Sequence, residues 1–135
     1  MANEHTLVYE KEVPNSVTVA DGAGIEKGTL LLFADPFTAA AATADTAICG
    51  VAAQEKIAGD GRTQLAVYQR GIFKATLSGS VTAGQALAAS GSNQVKVATA
   101  ADVGAKTLGI AIETGTNGET ILYELNPWCN NTAYA

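Results

Sequence analysis

The chain has 135 residues, a length typical of one domain that buries its own core. Its net charge is −5 and its eight basic residues are scattered, which argues against nucleic-acid binding because phosphate contacts need clustered Lys and Arg. Charged residues make up only 16% of the chain, against about 25% in an average protein, so the surface suits a protein that packs against a partner.

Membrane and secretion signals are absent from the sequence. It has no run of about 18 apolar residues that would predict a membrane helix, and residues 1–12 lack the apolar segment of a signal peptide. We therefore expect a soluble protein, synthesised in a cytoplasm, with no membrane partner. Two cysteines, Cys49 and Cys129, are too few for a disulfide framework, and Cys49 is expected to be buried in an apolar strand.

Residues 1–24 are predicted to form an extended N-terminal arm. Residues 6–13 favour one strand, Pro14-Asn15 ends it, and residues 16–19 alternate with the period of a second strand. The arm ends in Asp21-Gly22-Ala23-Gly24, a flexible joint that a permanent core strand would not need. We expect the arm to be partly mobile in the free protein. The alternative is that it closes the protein's own barrel.

Residues 25–126 are predicted to form a β-rich core. Asp60-Gly61 and Asn117-Gly118 are hairpin turn signals. Residues 37–46 are rich in Ala and Thr without a clear period, which predicts a loop or a short helix, and residues 99–102 are predicted to begin one helical turn. The predicted fold is all-β, a small barrel or sandwich with short or no helices. The predicted strands are residues 29–34, 47–57, 63–75, 85–89, 94–98, 107–113 and 120–125.

The core nearly repeats itself. Three segments recur in the same order, at offsets of 56, 59 and 57 residues. Such a period predicts a duplicated β-unit, with pseudo-repeats over approximately residues 25–80 and 81–126. The positions that give these offsets are Ile25 and Val81, Gly50 and Gly109 (within the segments that begin at Ile48 and Leu108), and Gly61 and Gly118.

The residues supply no recognisable catalytic set. His5 is the only histidine, and its place in a polar arm predicts a solvated side chain rather than a catalytic base. The carboxylates lack metal-binding spacing, and no glycine-rich loop fits a phosphate. Glu55 and Glu113 fall at matching places in the two repeats, where solvated strand ends are expected, although a hydrolase that uses such a pair is an alternative. We expect no enzymatic activity, no metal and no cofactor.

The two ends of the chain are the candidate contact regions. An extended arm adds a strand to the sheet edge of a partner, where main-chain hydrogen bonds give affinity. In the tail, residues 127–135, Trp128 and Tyr134 are a possible anchor on a neighbour, or Trp128 caps this protein's own barrel. The arm residues predicted to contact a partner are Leu7, Val8, Tyr9, Val17 and Val19.

The order of these segments resembles the small capsid cement, or head decoration, proteins of tailed bacteriophages. The resemblance covers most of the chain, approximately residues 25–125. The residues that carry it are Ile25-Glu26-Lys27-Gly28-Thr29-Leu30, Cys49-Gly50-Val51-Ala52, Val67-Tyr68-Gln69-Arg70-Gly71-Ile72-Phe73, Val81-Thr82-Ala83-Gly84-Gln85 and Leu108-Gly109-Ile110-Ala111.

This resemblance implies a non-enzymatic virion protein on the outer surface of the expanded phage head. It implies the major capsid protein as partner, self-association as a homotrimer, and an arm that contacts the capsid. The resemblance identifies no catalytic residues. A stand-alone β-module that binds a small ligand or glycan is the alternative, but only eight aromatic residues are available to build its binding platform.

Overall fold

The computed structural model describes residues 3–34, 38–44, 46–99 and 107–127. Within these ranges the chain forms strands, isolated bridges and turns without any helix, and hence no helix long and apolar enough to cross a membrane. The all-β prediction is confirmed. The predicted helical turn at residues 99–102 and the tail anchor residues Trp128 and Tyr134 lie largely or wholly outside the described residues, as does Cys129.

Eleven strands are present in the described residues, and they form a closed five-stranded barrel and a six-stranded sheet. The order is β2-β4-β3-β5-β6 around the barrel and β1-β7-β11-β10-β8-β9 across the sheet. The strands are β1 (Thr6–Glu10), β2 (Asn15–Val19), β3 (Leu30–Ala34), β4 (Thr38–Ala41), β5 (Ile48–Ala52), β6 (Gln64–Tyr68), β7 (Gly71–Thr76), β8 (Ala86–Gly91), β9 (Gln94–Val97), β10 (Thr107–Ala111) and β11 (Thr120–Leu125).

The two halves have the same strand pairing, which places β2–β6 in correspondence with β7–β11. The first and third strands of the barrel, β2 and β4, run parallel and close it. In the second half the same parallel contact is a single bridge between Leu77, just after β7, and Val95 on β9. β1 is the extra strand, because it pairs with β7 and has no counterpart beside β2.

Backbone hydrogen bonds between strands match from one half to the other. The Gly28 N–H donates to the Ala52 carbonyl (3.0 Å), and the Gly84 N–H donates to the Ala111 carbonyl (2.8 Å). Further matched N–H to carbonyl pairs are Ala42 to Leu30 and Ala98 to Ala86, Gly59 to Asp21 and Gly118 to Leu77, and Ala53 to Ala66 and Ile112 to Leu122. The structure thus has the duplication that the sequence predicts.

The repeat boundaries differ from the predicted ones. The structural repeats begin at β2 and β7, about ten residues before the predicted starts at residues 25 and 81. The prediction placed β2 in the arm because Asp21-Gly22-Ala23-Gly24 resembles a joint, yet β2 pairs with β6 along Asn15–Thr18 and closes the barrel. For β2, the alternative that the arm closes the protein's own barrel is therefore the correct one. Residues 38–41, predicted as loop, form β4, which lacks a clear period because only Ala39 is buried.

The core lies in two clusters. One is enclosed by the barrel and contains Val17, Leu31 and Leu65, all at most 1% exposed. The other fills the second half and also takes in side chains from β3 and β5 of the barrel, so the two halves share buried surface. Burial of apolar area at about 25 cal/mol per Å² drives this association.

In each half, an equivalent glycine lets the two strands of a hairpin approach each other closely. A Cβ atom on Gly50 would collide with the carbonyl oxygen of Tyr68, and one on Gly109 with that of Glu124. Both glycines lie inside strands that pair on both sides, β5 and β10, next to a shift in the register with β3 or β8. A glycine inside a strand is typical of such close backbone approach.

We predict that Gly50→Ala and Gly109→Ala each lower the free energy of unfolding by about 3 kcal/mol, because each forces two backbones apart. Urea denaturation of the full chain measures the effect. Gly22→Ala is the matched control: no atom lies within 4 Å of its added Cβ, so its change should stay within about 0.5 kcal/mol. Equal stability of all three variants would contradict the close-approach argument.

Candidate functional site

The outer edge of β1 is an exposed strand edge. β1 is the first strand of the open sheet, and among the described strands it pairs with β7 alone. Its register with β7 shifts between Leu7 and Tyr9, which places Val8 at a bulge. Val8 is 50% exposed and Tyr9 is 61% exposed, whereas Leu7 packs against the core. An unpaired edge of this kind is able to accept another strand.

A row of mostly apolar side chains continues from β1 across the outer face of the sheet. Tyr9 is paired with Ile72, Ile72 with Glu124, and Glu124 with Ile110, so these four side chains share one face. Ile110 is 43% exposed. Glu124 lies within the row and accepts a hydrogen bond from Lys11 Nζ at 3.0 Å. We call Val8, Tyr9, Ile72 and Ile110 the β1 surface.

The predicted arm contacts are divided by the structure. Val8 and Tyr9 lie on the β1 surface, and Leu7 lies partly beneath it. Val17 and Val19, at 0% and 2% exposed, point into the barrel core. The alternating pattern of residues 16–19 shows that one face of the strand is buried. It does not show whether that face packs against this protein's own core or against a partner, and the prediction chose the partner. In this conformation Val17 and Val19 are unavailable to a partner.

His5 is buried, and the prediction of a solvated side chain is wrong. Only 2% of the residue is exposed. Its Nδ1 lies 2.7 Å from the Tyr123 hydroxyl and its Nε2 lies 3.0 Å from the Asn93 carbonyl. A carbonyl only accepts, so Nε2 carries the proton and Nδ1 accepts from Tyr123. Burial lowers the pKa of His5 to about 4, despite the opposing effect of the Asn93 carbonyl.

Asn93 is the centre of this network. Its Oδ1 accepts from the Leu30 N–H at 2.7 Å, and its Nδ2 donates to the carbonyls of Asn3 (2.9 Å) and Gly28 (3.0 Å). The network ties residues 3–5 to the beginning of β3 and to the β8–β9 turn, and so joins the two halves. We call it the His5 junction: Asn3, His5, Gly28, Asn93 and Tyr123.

Sequence reasoning missed Asn93 and Tyr123. A signal for Tyr123 was present: Ile121, Tyr123 and Leu125 alternate on the inward face of β11, and a buried tyrosine requires a hydrogen-bond partner. Burial raises the pKa of its hydroxyl far above the ordinary range, so the hydroxyl remains protonated. No comparable sequence signal marks Asn93, since Ser92-Asn93 reads only as a turn.

The other side chains considered for catalysis or metal binding have roles within the fold. Glu113 Oε1 accepts from the Leu122 N–H (2.7 Å), and its counterpart in the first half is Gln54, whose Oε1 faces the Ala66 N–H (3.3 Å). The predicted equivalence of Glu55 and Glu113 is thus one residue out of register. Burial raises the pKa of the Cys49 thiol to about 11. Among the described residues, no three His, Cys, Asp or Glu side chains are grouped as metal ligands.

The fold and its exposed edge define a class: an all-β protein with a duplicated five-stranded unit and an added edge strand. No family model and no curated protein matches the chain. Among solved structures, the fold is similar to the crystal structure of the N base of the head fiber gp8.5 in bacteriophage phi29. The match has a TM-score of 0.55 and 16% identity, and covers 84% of this chain and 92% of that chain. It concerns the fold.

We predict that Asn93→Ala lowers the free energy of unfolding by about 3 kcal/mol, because several partly buried groups lose their partner together. Urea denaturation of the full chain measures it. The control is Asn117→Ala: Asn117 Oδ1 accepts a single exposed hydrogen bond, from the Gly79 N–H at 2.9 Å, and its loss should cost about 1 kcal/mol. If the two variants lose equal stability, Asn93 is an ordinary turn residue.

Proposed function

We propose that this chain is a structural protein of a tailed-phage head. The observation that carries the proposal is the likeness of the duplicated fold, over 84% of the chain, to a base domain of a phage head fiber. The sequence resemblance to head decoration proteins supports the same assignment independently of that match. The two point to a virion location for this chain.

The finer proposal is a capsid decoration, or cement, protein. It binds the outer surface of the expanded head through the major capsid protein, and self-associates as a homotrimer. Binding that exists only in the assembled head stabilises that head by mass action against the pressure of the packaged DNA. Many copies act together, so each contact needs only modest affinity. The low charge of the chain suits a protein of this kind.

The proposal includes that the chain is not an enzyme. The single histidine has both ring nitrogens engaged and is buried, so it offers no base to a substrate. The Cys49 thiol is buried, with a raised pKa, which favours the unreactive thiol over the thiolate. The carboxylate of Glu113 is held by a backbone N–H of its own hairpin.

We predict that the full chain co-sediments with purified heads of the phage that encodes it, and that it binds expanded heads at least tenfold more tightly than unexpanded ones, a difference of about 1.4 kcal/mol. Pelleting across a concentration series measures both affinities. Binding to both head forms with equal affinity would contradict the cement role but keep a head protein. Absence from both pellets would overturn the proposed function.

The β1 surface is the proposed contact with the capsid. We predict that Val8→Ser and Tyr9→Ser together weaken head binding at least tenfold, because exposed apolar side chains beside a strand edge contribute binding area. The matched control is Ile57→Ser, since Ile57 is 71% exposed and lies outside the β1 surface. All these side chains are exposed, so stability should change little. Equal binding by both variants would place the contact elsewhere.

A further inference from the structure

β1 is attached to the rest of the protein by little apolar burial. It pairs with β7 at four positions, from Thr6 opposite Lys74 to Glu10 opposite Gly71. Its residues are exposed apart from Leu7, which packs against the core. Since hydrophobic stabilisation scales with buried apolar area, one partly buried leucine contributes little. The polar contacts made just before β1 therefore have a large share in its attachment.

Those contacts are made by residues 3–5 at the His5 junction. The His5 N–H donates to the Gly28 carbonyl at 3.0 Å, so the backbone is tied as well as the imidazole. Asn3 Nδ2 donates to the Ser92 carbonyl at 3.0 Å, and Asn93 Nδ2 returns a hydrogen bond to the Asn3 carbonyl. Two separate stretches, the β8–β9 turn and the turn before β3, thus hold one short segment.

The backbone at this place has a left-handed conformation. Among the described residues, the non-glycine residues with positive φ are Asn3 (59°), Ser92 (53°) and Asn93 (60°), and all three are joined by the hydrogen bonds just described. Asparagine tolerates this conformation, and at Ser92-Asn93 it forms the tight turn between β8 and β9. The turn therefore places the Ser92 carbonyl and the Asn93 side chain where they bind Asn3.

Protonation of the His5 imidazole would weaken its contacts at the His5 junction. In the neutral ring, Nε2–H donates to the Asn93 carbonyl and Nδ1 accepts from the Tyr123 hydroxyl. A second proton on Nδ1 would force the Tyr123 hydroxyl to turn from donor to acceptor, so that its O–H loses this partner, and would bury a positive charge. The ring centroids of His5 and Tyr123 are 5.7 Å apart in an edge arrangement, which leaves no water layer between them.

The charged groups around the ring do not compensate for that proton. β11 contributes the neutral Tyr123 hydroxyl, and the β8–β9 turn contributes the neutral groups of Ser92 and Asn93. A cavity of about 260 Å³ beside His5 carries one acid, Glu4, and one base, Lys27. Both ring nitrogens already have other partners, so neither nitrogen is paired with a carboxylate.

We propose that residues 3–5 form an acid-released latch: protonation of His5 frees β1 from the edge of β7 while the closed barrel stays folded. The inference does not depend on the proposed function. Its consequence is that mild acid uncovers Gly71–Thr76, the next strand of the sheet, as a new edge.

The direction and size of the effect follow from proton linkage. The pKa of His5 is about 4 when the latch is closed and 6.5 when the ring is solvated. The open form binds the proton more tightly, so closure is favoured above pH 6.5 and is lost progressively as the pH falls toward 4. Between pH 7.5 and 5.0 the ratio of open to closed latch should rise about 30-fold. Below about pH 4 both forms are protonated and the effect saturates.

Hydrogen exchange of the full chain at pH 7.5 and 5.0 tests the latch, with protection factors corrected for the intrinsic effect of pH. We expect the protection of the β1 amides to fall about 30-fold, in line with that linkage, while that of β5 and β6 stays nearly constant. Because His5 is the only histidine, its imidazole NMR signals are assigned without ambiguity. They should show the Nε2–H tautomer at pH 7.5.

His5→Gln provides the control, since a glutamine does not titrate. In that variant the protection of β1 should not depend on pH between 7.5 and 5.0. If His5→Gln does not fold, the comparison of β1 with β5 and β6 in the unaltered chain decides. The latch is wrong if β1 keeps its protection at pH 5.0, if β5 and β6 lose theirs together with β1, or if His5→Gln keeps the full pH dependence.

Discussion

A parallel contact between the first and third strands of each half is the constraint on which this structure depends. A five-stranded sheet of such short strands buries its apolar face only by curling on itself. In the barrel, Thr18 and Val19 meet Thr38 and Ala39 and close the ring. In the second half the contact is reduced to the bridge from Leu77 to Val95. The earlier part of β7 is left as an edge, and β1 occupies it. The exposed edge thus lies on the repeat whose sheet stays open.

The two repeats solve one packing problem with different chemistry. In the first, the buried Lys56 Nζ donates to the Asp21 carbonyl (2.7 Å) and to Asp60 Oδ1 (3.2 Å). At the matched place in the second half, Gly115 lies against Leu77. The Arg62 backbone N–H, and after it Lys56, hold the pKa of Asp60 below its usual range. An ionic cluster and an apolar contact of similar size are often close in stability, so a duplicated fold accommodates both.

The sequence predicts the parts of this fold that rest on local pattern. Gly50 and Gly109 occur in matched apolar strands, and their common spacing is enough to indicate the duplication. The placement of β2 depends on its pairing with β6, nearly fifty residues away in the chain. No local pattern contains that pairing, and the glycines after β2 suggest a joint. The burial of His5 is harder still, because its partners Asn93 and Tyr123 are 88 and 118 residues away.

Attachment of β1 by a polar network rather than by apolar burial has a physical consequence. A strand fixed by several buried side chains leaves its sheet only when the core opens, since the apolar area is shared with the rest of the cluster. β1 shares only Leu7 with that cluster, and its other ties are hydrogen bonds that water is able to replace at modest net cost. The proposed latch makes its stability separable from that of the barrel. A protein that packs a strand edge against a partner benefits from this separation, because the edge strand adjusts while the barrel keeps its shape.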